Sequence, residues 1–187
     1  TEKTVTGYTV SIDKPLYTES DFTFSGNDKV TGTDAGTYPM ELTKEDFQNT
    51  NENFSNVEFV IVDGTLAISK RSVTLTSADA EKVYDGEALT NGEVTISGDG
   101  FVAGEATYKA TGSQTEVGSS KNTIVVEEGA NFKAENYEIT KEEGTLLVTE
   151  FTDKVTVTIT ENSGSEKYDG TEKTVTGYTV SIDKPLY

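Results

Sequence analysis

The sequence predicts an all-β fold, built as an extended array of small antiparallel β-sandwiches of the immunoglobulin-like type. Apolar and polar residues alternate within short runs, which is typical of half-buried strands. Turn-forming residues separate these runs, and no stretch of twelve among the 187 residues keeps the apolar spacing of an amphipathic helix. The chain also repeats itself, which indicates several similar small domains in tandem.

The repetition is exact at the two ends of the sequence. Thr1–Tyr17 reads TEKTVTGYTVSIDKPLY, and Thr171–Tyr187 reads the same 170 positions later. The motif Tyr84-Asp85-Gly86 likewise returns as Tyr168-Asp169-Gly170, 84 positions further along. These two distances predict a segment of a tandem array with a period of about 85 residues.

The period divides the sequence into three parts. We expect residues 1–70 to be a repeat unit lacking its opening strand, 71–152 a complete unit, and 153–187 the start of a third. The first unit would then have an unpaired sheet edge beside an apolar groove. The strand that fills it would correspond to Val155–Ile159 of a preceding unit.

Each element of the first unit has a local reason. Strands are predicted where apolar residues fall at every second position, at Thr4–Ile12, Asp21–Ser25 and Gly36–Leu42. Pro39 fits an edge strand because proline has no amide hydrogen to donate to a neighbour. Thr43–Phe47 predicts one helical turn, with Thr43 as its cap.

The first unit is expected to close with a hairpin. The β-forming run Val57–Val62 and the run Gly64–Ile68 flank Asp63-Gly64, a dipeptide typical of tight hairpin turns. The same arrangement recurs 80 residues later, as Asn136–Ile139 followed by Gly144–Val148. A terminal hairpin is therefore predicted in both units.

The second unit repeats this plan. Its opening strand is predicted at Ser72–Thr76, where Val73 and Leu75 alternate with polar residues. Further short strands are predicted at Val94–Ile96, Ala106–Lys109 and Thr123–Glu127, and Val155–Ile159 would open the third unit.

The Tyr-Asp-Gly motif has a structural explanation that needs no ligand. Gly86 and Gly170 can take the positive φ of a tight turn. Asp85 and Asp169 can accept a hydrogen bond from the backbone two residues on. Tyr84 and Tyr168 can bury their rings while their hydroxyls stay near water, so that Tyr84→Ala would cost about 3 kcal/mol.

Composition excludes several functions. There are 15 basic and 33 acidic residues, so the formal net charge is −18, which repels nucleic acid and anionic membranes. The sequence has no cysteine and no histidine, which excludes disulfides and catalysis by these residues. No apolar run approaches the ~20 residues that span a bilayer. We therefore expect no enzyme, no cofactor and no membrane insertion.

A metal site is also unexpected. Asn49, Asn51 and Asn53 have the alternating spacing of the first ligands in an EF-hand loop, but Phe54 and Val60 stand where glycine and glutamate are needed. A solvated polar connection is favoured here, while calcium held between repeats by clustered surface acids stays open. A melting temperature unchanged by millimolar calcium would support this prediction.

An intramolecular Lys–Asn isopeptide bond is the alternative cross-link for a chain without cysteine. The residue types are present, but no pair is predicted from sequence. Suitable side chains are Lys82, Lys154, Asn56 and Asn136.

The segments Glu81–Gly86 and Glu166–Gly170 resemble the hallmark of YDG-type and MBG-type repeats, the tandem modules of large bacterial surface proteins and adhesins. Asn136-Tyr137, Gly144-Thr145-Leu146 and the Lys70–Val73 junction are also similar to that pattern. The first unit has Val57 where the pattern prefers tyrosine. The resemblance implies an extracellular, multi-repeat and non-enzymatic role, without a particular ligand.

Three functions follow from these expectations. The first is a stalk that holds an adhesive tip away from the cell, with neighbouring repeats as its partners. The second is a module that binds glycan or host protein through exposed rings such as Tyr8, Tyr17 and Tyr108. The third is end-to-end self-association into an extracellular filament by strand donation.

Overall fold

The structure is a computed structural model that describes residues 1–184. Residues 185–187, which end the second copy of the repeated segment, lie outside the described residues. Strands make up 41% of the chain and helical turns 5%, which confirms the all-β prediction. Every helical turn is a three-residue 3-10 segment immediately before a strand, at Glu19–Asp21, Lys44–Asp46 and Ala134–Asn136.

The strands are short because turn residues interrupt the apolar runs every few positions. In the first seventy residues they are β1 Lys3–Thr6, β2 Phe22–Phe24, β3 Lys29–Gly32, β4 Gly36–Pro39, β5 Phe47–Asn49 and β6 Thr65–Ile68. The next are β7 Arg71–Ser77, β8 Ala80–Val83, β9 Val94–Gly98, β10 Ala106–Ala110 and β11 Gly118–Lys121. The last are β12 Ile124–Glu128, β13 Tyr137–Glu142, β14 Thr145–Thr149, β15 Val157–Glu161 and β16 Tyr178–Ile182.

These strands form small sheets. Four antiparallel pairs are β1–β3, β2–β5, β4–β6 and β15–β16. A further two-stranded sheet joins β10 to β12, and a three-stranded sheet has the order β13-β7-β9. In the sheet β11-β14-β8, β14 is antiparallel to β11 but parallel to β8. The parallel pair was not anticipated, and the long connection between β8 and β14 in sequence is what allows it.

The chain forms two compact units. Compact unit 1 contains Thr1–Leu75, Ile96–Thr107 and Glu127–Thr140, and compact unit 2 contains Thr76–Thr95, Tyr108–Val126 and the described residues from 141 onward. Each unit is therefore assembled from three separate stretches of sequence. Each has a thin core, as expected for so small a body.

Aromatic rings supply much of the core of compact unit 1. Phe47 contacts the rings of Tyr8, Phe22, Phe24 and Phe59, with centroid distances of 5.0 to 6.0 Å. Phe59 stacks on Phe47, and the other three pairs are tilted or edge-on. Such ring pairs add to the free energy gained by burying the rings. A second group in the same unit stacks Tyr137 on Phe132 at 5.3 Å and places Phe101 at the same distance from Tyr137.

Compact unit 2 has an aliphatic core. Leu146 and Val148 of β14 are 0% and 1% exposed, and Ile124 of β12 is 2% exposed. Two polar residues, Ser77 and Asn122, are buried with them. Leu146 and Val148 are buried together because successive side chains of a strand point to opposite faces, so residues two positions apart share one face.

The predicted terminal hairpins are wrong. Residues 57–62 form no strand, and β6 pairs with β4 instead. Gly64 lacks the positive φ that a type I′ turn requires. Asp63 and Gly64 bind the end of β4: the Asp63 carboxylate accepts the amide of Glu41 at 3.0 Å, and the Gly64 carbonyl accepts that of Met40 at 2.8 Å.

The corresponding hairpin is also missing in the second unit. β13 lies beside β7, and β14 lies between β11 and β8, so the described strands β13 and β14 are not partners. A tight turn permits a hairpin, but the pairing itself depends on which other strands compete for the same edge.

The helical turn predicted at Thr43–Phe47 is confirmed. Lys44–Asp46 is a 3-10 turn with Thr43 as its N-cap residue. The Asp46 carboxylate accepts the Thr43 amide at 2.7 Å and its hydroxyl at 3.0 Å. The turn delivers Phe47 into the aromatic core of its unit.

Candidate functional site

The turn at Asp85 combines the expected backbone geometry with an ion pair that sequence did not predict. Gly86 has a φ of 82°, and an Asp85 carboxylate oxygen accepts the amide of Glu87 at 3.0 Å. The Lys82 ammonium donates to that oxygen and to the Glu87 carbonyl, each at 2.5 Å. One lysine therefore ties strand β8 to the turn that follows it.

The turn at Asp169 has the same backbone form. Gly170 has a φ of 77°, and Asp169 accepts the amide and the hydroxyl of Thr171 at 3.0 and 2.6 Å. Here the ion pair comes from the other side of the motif, since Lys173 lies four residues after the aspartate and donates at 2.5 Å. The motif thus fixes the turn, while the lysine that braces it differs between the two copies.

The two tyrosines of the motif have different surroundings. Tyr84 is half-buried, and its amide donates to the carbonyl of Thr149 at 2.8 Å, which continues the β8–β14 ladder. The side chain of Tyr168 is 97% exposed. The expected burial of the ring is therefore absent at Tyr168 and only partial at Tyr84, because a ring is buried only where other elements cover it.

This difference sets an expected result for the two alanine variants. Tyr84→Ala should lower the free energy of unfolding by about 1 kcal/mol, less than the loss for a fully buried ring. Tyr168→Ala should change it by less than about 0.5 kcal/mol, as for other exposed positions. Urea unfolding of both variants beside the wild type measures this. A loss of similar size in both would show that the motif stabilises the chain through something other than ring burial.

The ion pair at the Asp85 turn also predicts a lowered pKa for the Asp85 carboxyl group. The hydrogen bond from Lys82, followed by that from the Glu87 amide, lowers the pKa of Asp85 below its ordinary 3.8. A group whose pKa is lowered on folding contributes stability above its unfolded pKa and loses it as the pH falls through the folded value. The contribution of Asp85 should therefore be complete above about pH 5 and disappear in stronger acid.

Carboxyl-detected NMR titration tests this for one residue. We expect Asp85 to titrate below 3.8 and to move back toward that value in Lys82→Met, which keeps the aliphatic stem and removes the ammonium. Asp169, whose pKa is lowered chiefly by Lys173, serves as an unchanged internal reference. If the pKa of Asp85 is the same in Lys82→Met as in the wild type, the ion pair with Lys82 is not the cause of the lowered pKa.

The asparagine-rich connection is held by its own amides. Asn49 accepts the Asn51 amide at 3.1 Å and the Tyr17 hydroxyl at 2.9 Å, and it donates to the Phe54 carbonyl at 2.8 Å. Asn51 in turn accepts the amide of Asn53 and donates to Asp21 at 2.8 Å. These contacts give the alternating asparagines a turn-forming role. Within residues 1–184, no group of three or more acidic side chains is placed to hold a metal ion.

Two of the four side chains considered for an isopeptide bond, Asn136 and Lys82, have other partners. Asn136 donates to the Asp34 carboxylate at 2.9 Å and accepts the Ala35 amide at 2.6 Å. Lys133 forms an ion pair with the same carboxylate at 2.6 Å. The hydrogen bonds from Asn136 and Lys133 lower the pKa of Asp34. Lys82 is engaged at its own turn, as described above.

The aromatic residues considered as sugar platforms are not equally accessible. Tyr17 is only 9% exposed, and burial raises the pKa of its hydroxyl, so it belongs to the core and not to a binding face. Tyr8 is 39% exposed and lies against Phe24 and Phe47. Tyr108 is half-buried in β10.

The most constrained polar residue of compact unit 2, Asn122, was not singled out from sequence. It is fully buried, and its side-chain nitrogen donates to the carbonyls of Ala78 and Asn91 at 3.0 and 2.8 Å. Its amide donates to Gly144, and its carbonyl accepts the Ser77 hydroxyl at 2.6 Å. An asparagine between two polar residues carries no local sign of such burial.

A shallow, mainly apolar depression lies on the surface of compact unit 2. Val83, Val117 and Leu147 line it on the outer face of the β11-β14-β8 sheet, with Thr149 beside them. Glu150 and Thr152 also line it, and it is open to solvent, unlike the deep clefts that bind small ligands. None of the helical segments in the described part of the chain is long and apolar enough to cross a membrane.

Comparison with known families gives one match. Residues 1–70 match the MBG domain, which confirms the resemblance drawn from the repeat motifs. Such a domain suggests a repeat module of a surface protein. No curated protein and no solved structure matched the chain.

Proposed function

We propose that this chain, whose residues 1–70 match the MBG domain, is a structural segment of a bacterial cell-surface adhesin or fibre. Its repeats act as an extended spacer that holds a functional end of the protein away from the cell. The role is extracellular and non-enzymatic, and it requires no cofactor. Each repeat is proposed to be a small immunoglobulin-like sandwich in a tandem array.

The observation that carries the proposal is the repeated unit itself. The seventeen residues from Thr1 recur letter for letter from Thr171. The glycine inside both copies keeps the same turn, with a φ of 85° at Gly7 and 93° at Gly177. Selection for length tolerates identical copies, whereas separate binding specificities would require them to differ.

The surface chemistry agrees with a spacer. A net charge of −18 keeps neighbouring copies apart in solution at low ionic strength. Small cores suffice, because each repeat needs only its own interior and its sequence neighbours. The longest described strand, β7, has 7 residues, so a repeat whose long axis follows such a strand adds roughly 24 Å of reach.

Deleting or replacing the repeats in the adhesin on living cells tests the spacer role. Cells would carry the adhesin with its repeats intact, with the repeats deleted, or with them replaced by an unrelated rigid rod of equal length. We expect deletion to reduce attachment to a surface and the unrelated rod to restore it. Surface amounts are matched by labelling an epitope at the distal end.

The same experiment distinguishes the spacer role from direct binding of glycan or host protein by the repeats. If the repeats bind glycan or host protein themselves, the unrelated rod will fail to restore attachment, and the isolated repeats will bind a glycan array. Either result would overturn the spacer role. Binding would then be sought first at Tyr8, since Tyr17 is buried.

A further inference from the structure

Residues 1–70, the MBG segment, are only part of the compact body in which they lie. Compact unit 1 combines them with residues 71–75, 96–107 and 127–140, all of which lie beyond the MBG match. The boundary drawn from sequence similarity therefore falls within one compact unit. The contacts that cross this boundary show which later residues hold the MBG segment.

Three polar contacts cross the boundary at one place. The side-chain nitrogen of Asn136 donates to one oxygen of the Asp34 carboxylate at 2.9 Å, and its side-chain oxygen accepts the Ala35 amide at 2.6 Å. The Lys133 ammonium donates to the other Asp34 oxygen at 2.6 Å. The partners are 99 to 102 positions apart in sequence. Together Asp34, Ala35, Lys133 and Asn136 form the joint.

The MBG side of the joint is held by its own segment. Asp34 and Ala35 lie between β3 and β4, and the Tyr38 hydroxyl donates to the Asp34 carbonyl at 2.9 Å. The Tyr38 ring lies against Gly32, where an added Cβ would stand 2.5 Å from the ring. Contacts within residues 1–70 therefore fix this loop, and its Asp34 carboxylate and Ala35 amide bind residues outside the segment.

The opposite side of the joint is fixed by a different set of contacts. Lys133 is the N-cap of the 3-10 turn Ala134–Asn136, and the Asn136 amide donates to the Lys133 carbonyl at 3.0 Å. The next residue, Tyr137, is 4% exposed, and its hydroxyl donates to the Glu105 carboxylate at 2.5 Å. Because each side is ordered by its own contacts, joining them costs little additional conformational entropy.

The amide contact should contribute more to stability than the ion pair. The Asn136 side chain uses both its donor and its acceptor in a half-buried position, and a hydrogen bond to an ionised carboxylate is stronger than one between neutral groups. Asp34 is ionised at neutral pH because the hydrogen bonds from Asn136 and Lys133 lower its pKa. The Lys133 side chain is 51% exposed, so water screens its charge and the ion pair adds little.

We propose that the joint is the interaction surface through which the MBG segment docks on the repeat that follows it. The partner is the 3-10 turn Ala134–Asn136, whose terminal side-chain amide binds the Asp34 carboxylate and the adjacent backbone amide together. Residues 1–70 reach their full stability only with this turn in place. This inference stands apart from the spacer role, since coupled repeats would serve a binding module equally well.

Peptide-resolved hydrogen exchange of the intact chain tests the coupling. In Asn136→Ala we expect the amides of the β4–β6 pair to exchange at least fivefold faster, although both strands lie wholly within residues 1–70. Lys133→Met should raise these rates less than twofold. The matched control is Asn56→Ala, because Asn56 is the corresponding asparagine 80 positions earlier and is exposed. Its removal should leave the β4–β6 rates unchanged.

A double-mutant cycle assigns the effect to the joint. Asp34→Ala and Asn136→Ala remove the same contact from opposite sides, so the double variant should exchange no more than twofold faster than the more affected single variant. The β11–β14 amides should keep wild-type rates throughout, and acceleration there by the same factor would overturn the proposal as a general loss of stability. Effects that multiply in the double variant, or equal β4–β6 rates in Asn136→Ala and Asn56→Ala, would also overturn it.

Discussion

Replacing Asn122 with alanine is expected to lower the free energy of unfolding of compact unit 2 by about 3 kcal/mol. The side-chain nitrogen of this fully buried residue satisfies the carbonyls of Ala78 and Asn91. Alanine leaves both carbonyls without that donor, and an unsatisfied buried polar group costs about 1–3 kcal/mol. Small domains are stable by only about 5–15 kcal/mol, so the loss is a large share of the total.

The side-chain oxygen of Asn122 explains why the nitrogen dominates this effect. Among the described residues, it has no hydrogen-bond partner, and it lies close to Gly112, where a Cβ would stand 2.8 Å from it. Losing the oxygen therefore leaves no donor unpaired. The effect of the substitution comes from the two carbonyls and from the small cavity that remains.

Hydrogen exchange resolved by peptide measures the loss within compact unit 2. The control is Asn162→Ala, which also removes a side-chain donor from a backbone carbonyl, that of Thr176 at 2.8 Å. Asn162 is exposed, so water replaces the lost donor and the change should stay below about 0.5 kcal/mol. Equal losses in the two variants would show that burial of the amide is not what stabilises this region.

Leu146→Ala is expected to cost a similar amount, about 3 kcal/mol, for a different reason. Leu146 is 0% exposed and lies in β14, the central strand of its sheet, opposite Ser120 of β11 and Ala80 of β8. Truncating a fully buried leucine removes apolar contacts and leaves a cavity, which together cost about 2–5 kcal/mol.

The neighbouring residue supplies the control for this variant. Leu147 has the same side chain in the same strand but is only half-buried, on the outer face of the sheet. Leu147→Ala should cost less than about 1 kcal/mol, because its side chain leaves a depression and not a cavity. Urea midpoints with an unchanged dependence on denaturant would confirm that stability alone has changed. A larger loss at Leu147 than at Leu146 would reverse the assignment of the two faces.

Local chemistry determined much of this protein. The turns at Asp85 and Asp169 follow from residues that act on their own backbone: glycine takes the positive φ, and the aspartate accepts an amide two residues on. Val73 and Leu75 likewise alternate with polar residues, and both are buried in β7. Such features need no distant partner, so the sequence is enough to predict them.

Pairing between distant strands could not be read in the same way. Residues 57–62 are strong β-formers, and Val57, Phe59 and Ile61 are half-buried, yet this segment is in none of the sheets of the described residues. The parallel pairing of β8 with β14 and the burial of Asn122 also depend on segments far apart in the chain. Side-chain alternation encodes which face is covered, but not which strand supplies the hydrogen bonds.

The seventeen-residue repeat shows, within one molecule, which features depend on local sequence and which depend on distant strands. In the first copy, Lys3–Thr6 is a strand and residues 8–12 are not. In the second copy, residues 173–176 are not a strand and Tyr178–Ile182 is. The glycine between the two stretches keeps its left-handed turn in both copies, because that preference is local. The strands differ because their hydrogen bonds are made with β3 in one copy and with β15 in the other.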